Sequence, residues 1–145
     1  LIHEWVGNLP VPINEGIEEY FRRYRVAGMG GAIDFAADHD GLVGAAPSGD
    51  GSDALVEFLA LAGPEFYAAD RVRRYERAYA LVALLLSTPD GAAALHDVLA
   101  RQKADACVPV RAESILEARY PGGLGALAAD WTRFMRDPPA TVRAY

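Results

Sequence analysis

"LPVPINEGIEEYF" occupies positions 9–21, and its spacing decides the fold class. From Ile13, apolar or aromatic residues recur at Ile17, Tyr20, Phe21 and Tyr24, the pattern of one buried helix face. Pro12 suits a first helical turn, where its missing N–H goes unused, and Gly28, Gly30 and Gly31 end the segment. Glu15 and Glu19 lie four apart on the opposite side from Ile17, Tyr20 and Tyr24. Two readings fit them: a solvated acidic stripe with Glu18–Arg22 and Glu19–Arg23 pairs, or a carboxylate pair with a chemical task.

Outward from this helix the chain stays helical. Residues 27–52 are rich in glycine and aspartate and read as a long loop with room for a short hairpin around Ala32–Phe35. Asp53 is placed to cap a short helix through Leu61, which Gly63-Pro64 breaks. The longest helix is expected from Asp70 to Leu86, with Val72, Tyr75, Tyr79, Val82 and Leu86 on one side. Pro89-Asp90-Gly91 marks a turn before a helix from Ala92 to Lys103. Two more helices, Ala112–Arg119 and Leu124–Arg136, are separated by Pro121-Gly122-Gly123. No repeat recurs at a solenoid period. The expectation is a mainly α fold, with one helical domain over 1–137 and a proline-broken tail over 138–145 that frays.

Composition bounds the function. A chain of 145 residues, 52% hydrophobic and 23% charged, is long enough for one core and short for two. Its net charge of -6 provides no basic stripe for phosphate neutralisation, which argues against nucleic acid. The longest apolar run, Ala78 to Leu86, covers about half of the roughly 20 residues a membrane span needs. A single cysteine, Cys107, cannot form an internal disulfide or a thiolate zinc cluster and reads as a small apolar side chain. Asp38-His39-Asp40-Gly41 and the stretch from Ser48 to Asp53 lack the ligand spacing of a calcium loop, and His96 beside Asp97 reads as a surface residue. The chain begins at Leu1 without a signal-peptide pattern, so it is expected to be a fragment, and its compartment is not legible.

His3-Glu4 opens what looks like His-Glu-x-x-His, the motif in which two histidines one helical turn apart hold zinc while the glutamate activates water. Gly7 stands where the second histidine belongs and has no side chain to donate. The literal motif therefore fails.

The stretch from Leu9 to Phe21 carries more. It resembles the second half of the active site in gluzincin zinc metallopeptidases, the peptidase MA-like group of bacterial domains of unknown function, through Leu9, Pro10, Asn14, Glu15, Gly16, Glu19, Tyr20 and Phe21. Glu18 departs from the pattern, which usually has alanine there. "EFYAADRVRRYERAYALVALLL" (65–86) and "LGALAADWTRFMR" (124–136) are similar to two later helices of that group, in the same order. The resemblance covers the C-terminal, helical half of a gluzincin catalytic domain.

By that resemblance Glu15 is the third zinc ligand. Glu19 is the acid that orients a zinc-bound histidine from behind, and Asn14 supports the same shell. Tyr75, in Tyr75-Glu76-Arg77-Ala78, is similar to the tyrosine of aminopeptidase N-type gluzincins that donates to the oxyanion; the alternative for it is an amphipathic core residue. The family spacing sets the true His-Glu-x-x-His immediately before Leu1, which makes His3-Glu4 incidental. The implied function is part of a zinc-dependent peptidase acting on a peptide or protein, with zinc held by the complete domain and this chain alone inactive. The alternative is a non-catalytic helical scaffold or interaction module derived from a gluzincin fold. A missing half would also leave apolar surface uncovered and favour self-association.

Overall fold

The computed structural model describes residues 8–27, 30–35, 38–49 and 51–143, with the strands known by their backbone. The chain is mainly helical: α1 (Val11–Arg23), α2 (His39–Ala45), α3 (Ser52–Leu59), α4 (Gly63–Phe66), α5 (Arg71–Leu86), α6 (Pro89–Ala104), α7 (Ala112–Arg119) and α8 (Gly123–Arg136). Three short strands, β1 (Arg25–Ala27), β2 (Gly30–Asp34) and β3 (Thr141–Arg143), form an antiparallel sheet in the order β1-β2-β3.

α5 is the axis of the core. Every residue from Ala78 to Leu85 on it is buried, because neighbours cover all its faces. α1 packs most closely against it, and Gly16 makes that approach possible. A Cβ at position 16 would lie 2.4 Å from the carbonyl oxygen of Ala78 and 2.7 Å from Cγ2 of Val82. α8 packs on the same axis: Trp131 is fully buried and donates its indole N–H to the Arg77 carbonyl at 3.1 Å. Arg77 in turn donates Nε to the Ala45 carbonyl at 2.7 Å, tying α2 to α5.

The chain turns by 115° between α5 and α6. Thr88 caps α6 there, its hydroxyl accepting from the Gly91 amide at 3.1 Å. Thr88→Ala is expected to lower stability by about 1 kcal/mol, read as a shift in denaturation midpoint at unchanged slope. Gly122, at φ +82°, supplies the left-handed backbone that links α7 to α8. No single helix among the described residues is long and apolar enough to cross a membrane.

Several expectations are corrected. The loop expected over 27–52 holds strand β2 and helix α2, and the hairpin begins earlier, pairing Val26 with Gly31. The tail expected to fray contributes β3, with Val142 opposite Ile33 and the Phe35 amide donating to the Ala140 carbonyl at 2.9 Å. Phe35 then fills a buried gap between Tyr79 and Phe134, with ring centroids at 5.6 and 5.2 Å. Gly51 rather than Asp53 occupies the N-cap of α3. Asp53 falls in the first turn, where a negative charge still meets the helix dipole favourably. Val72 and Phe21, expected on buried faces, are 71% and 61% exposed. Cys107 is exposed in the turn after α6. His3 and Glu4 lie outside the described residues.

Candidate active site

The acidic side of α1 is buried as well as the apolar side. Pro10 starts the helix by accepting from the amides of Ile13 and Asn14, and Pro12 lies in the first turn. Asn14, Glu15 and Glu19 are 7%, 4% and 8% exposed, as covered as the core residue Tyr20. A solvated stripe is therefore not what these residues form.

A cleft of about 360 Å³ runs between α1 and the start of α5. Glu15, Glu18, Glu19, Arg22 and Arg23 line one wall, and Val72, Tyr75 and Glu76 line the other. Asn14 is one residue from Glu15 but is not among the residues lining this cleft.

One phenol grips Glu15: Tyr67 donates its hydroxyl to Oε1 at 2.6 Å, while Tyr75 lines the same cleft and feels the Glu15 charge. Burial first, then the Glu15 hydrogen bond and charge, push the Tyr67 phenol up. Burial and the Glu15 charge do the same to Tyr75. Both phenols therefore stay neutral near pH 7 and act as donors. Phe66 sets their positions: fully buried, it meets Tyr67 and Tyr75 edge-on, with centroids at 5.5 and 5.4 Å. Arg74 locks this turn by donating to the Glu65 and Phe66 carbonyls. Glu65 caps α4 by accepting from the Ala62 amide at 3.1 Å.

At the far end of the cleft Glu19 meets Arg22 at 2.5 Å and Arg23 at 3.3 Å. Arg23 also reaches Glu76 at 2.9 Å and Asp38 at 3.6 Å, and its guanidinium lies 4.1 Å from the ring centre of Tyr79. One cation thus joins three carboxylates from α1, α5 and the start of α2. Burial raises the Glu76 carboxyl above its ordinary range, and Arg23 pulls it back. Glu76 Oε2 and the Tyr79 hydroxyl are buried without a hydrogen-bond partner among the described residues.

Glu15, Glu19 and Tyr75, singled out by sequence, thus line one cleft, on the elements expected. Sequence reasoning assigned no role to Tyr67. Its only signal was its place in Glu65-Phe66-Tyr67, ahead of the long helix. As a place for a metal, the site fits in part: a buried carboxylate held by a neutral donor has the character of a ligand. No group of three or more histidine, cysteine, aspartate or glutamate residues able to hold a metal occurs among the described residues. His39 and His96 are surface residues beside Asp40 and Asp97. Comparison with protein-family models, with curated proteins and with solved structures gives no match to this chain.

Proposed function

We propose that the chain carries the carboxylate side of a zinc peptidase site, with Glu15 as a metal ligand and the cleft between α1 and α5 as part of the substrate channel. The observation that carries this reading is Glu15, a 4% exposed residue that lines a cleft and whose carboxylate accepts from Tyr67. The resemblance of Leu9–Phe21 to the gluzincin second-helix motif supports the same assignment. In a complete site the remaining ligands would come from outside the described residues.

Zinc, when bound, supplies a Lewis acid that lowers the pKa of water and polarises a peptide carbonyl. Glu15 holds the ion, and its helix fixes the carboxylate against α5 through Gly16. Tyr75 is a neutral, half-buried donor on the opposite wall, suited to receive negative charge building on a carbonyl oxygen. Glu19 braces the same helix face through its contacts with Arg22 and Arg23. Val72, largely exposed on the cleft wall, offers an apolar contact to a peptide side chain.

The test is metal analysis and peptide hydrolysis on the protein at its natural full length, wild type beside Glu15→Gln. The expected result is one zinc per chain with hydrolysis, both lost in the variant. A wild-type protein without zinc would overturn the reading.

One observation favours a non-catalytic helical module instead: Glu19, the acid expected to orient a histidine, is engaged by Arg22 and Arg23 within the fold. On that reading Glu15→Gln alters stability and nothing else.

A further inference from the structure

Three buried polar atoms around Arg23 make no hydrogen bond among the described residues: its own Nη1, Glu76 Oε2 and the Tyr79 hydroxyl. Tyr79 is fully buried in the core, while Arg23 and Glu76 also line the cleft. Nη1 lies 3.3 Å from a Glu19 oxygen, a contact of charges without the direction of a hydrogen bond.

The three atoms belong to one place. Glu76 and Tyr79 stand three residues apart on α5 and share a helix face. The Arg23 guanidinium lies 4.1 Å from the centre of the Tyr79 ring and gives Nη2 to Glu76 Oε1 at 2.9 Å. Burial first, then the charge of Asp38, pushes the Tyr79 phenol up, so its hydroxyl keeps its proton near pH 7.

The chemistry of these atoms selects what joins them. Buried polar atoms without a partner are costly, and polar groups too far apart to bond directly are commonly bridged. Nη1 only donates, an ionised Glu76 Oε2 only accepts, and the phenol hydroxyl does either. The ligand therefore has to accept and donate at once. A metal ion has no lone pair for the guanidinium N–H, and an anion is repelled by Glu76. Water satisfies all three: its oxygen accepts from Nη1, and its two protons go to Glu76 Oε2 and the Tyr79 oxygen. About three hydrogen bonds is the usual complement of an internal water.

We propose that Arg23 Nη1, Glu76 Oε2 and the Tyr79 hydroxyl together hold one internal water beside the cleft. The site involves neither Glu15 nor a metal, so it stands apart from the zinc-site reading. It divides the work of Tyr79 in two. The ring packs on Phe35, at 5.6 Å between centroids, and on the Arg23 guanidinium, whereas the oxygen serves the water and ties the Arg23 cluster to α5.

The experiment locates internal waters in a high-resolution crystal structure of the full-length protein and counts the long-lived ones in solution by water-oxygen magnetic relaxation dispersion. The wild type is expected to show one ordered water within hydrogen-bond distance of all three atoms. Tyr79→Phe keeps the ring and removes the oxygen, and its count of long-lived waters is expected to fall by one. A wild-type structure in which the three atoms bond directly to one another or to another side chain, with no water between them, overturns the proposal. So does a metal ion at that place, or a folded Tyr79→Phe protein whose count equals that of the wild type. The wild-type structure decides the matter by itself if Tyr79→Phe does not fold.

Discussion

Replacing Gly16 with alanine should destabilise the protein by about 3 kcal/mol, at the upper end for an overpacked interior position. Three contacts set the size of the effect. The new methyl would fall 2.4 Å from the Ala78 carbonyl oxygen, 2.9 Å from its carbon and 2.7 Å from Val82 Cγ2. Two of these are backbone atoms of α5 and cannot turn aside, so relief comes only by separating the two helices. Alanine recovers about 1 kcal/mol of helix propensity relative to glycine, far less than a widened interface loses. Valine at the same position should be worse, because its branched Cβ also fixes χ1. Denaturant titration measures the loss. A Gly16→Ala protein as stable as wild type would show that α1 and α5 are not in the close contact described. Because Glu15 adjoins Gly16, the same displacement should move the carboxylate away from Tyr67 and Tyr75.

The second large effect is expected at Arg23. Its side chain is 18% exposed and serves Glu19, Asp38 and Glu76, themselves 10%, 24% and 15% exposed. Arg23→Met keeps most of the aliphatic volume and removes the cation that reaches both Glu76 and Asp38. Breaking one side of a buried pair typically destabilises by about 3–5 kcal/mol, because the partner charge remains buried. Replacing both partners, with Arg23→Met and Glu76→Leu together, should recover much of that loss.

The pH dependence follows from the direction of the Glu76 shift. Burial holds that carboxyl above its ordinary value of 4.5 while Arg23 opposes the rise. Without Arg23 the folded-state value climbs further, so the folded protein binds the Glu76 proton more tightly than the unfolded chain does. The stability this gives is fully present below about pH 4.5 and is lost as pH rises through the raised value. The gap between Arg23→Met and wild type should therefore be widest near neutrality and narrow in acid. A gap independent of pH would assign the loss to packing against the Tyr79 ring.

The helices were the legible part of this chain. α1 and α5 to α8 follow from apolar periodicity and from Pro and Gly punctuation, signals that reside within a dozen residues of sequence. What escaped depends on partners far along the chain. β2 carries two glycines and shows no alternation, and its partner β3 lies after α8, so neither strand announces itself locally. Periodicity also misjudged α1. It put the buried face on Ile13, Ile17, Tyr20, Phe21 and Tyr24, yet Phe21 is exposed while Glu15, Gly16 and Glu19 are covered. An acidic face becomes an interior one only when polar groups cover it, here Tyr67 and Tyr75 from farther along the chain and Arg23 from the end of the same helix. Of these, Tyr75 stood out by its setting, whereas Tyr67 depended on a turn whose geometry is fixed by Arg74 from the next helix.

The antiparallel sheet has a consequence for the order in which the chain acquires its structure. β1 and β2 are neighbours in sequence and close a local ladder, an event of microseconds in an isolated hairpin. β3 joins β2 from the opposite end of the chain, with Thr141 opposite Asp34 and every helix from α2 to α8 between them. Pairs so distant in sequence carry a large loop-closure entropy, and contact order makes them late. The β2–β3 ladder is therefore a seam that closes after the helices have assembled, and Phe35 reaches its place between Tyr79 and Phe134 as it does so.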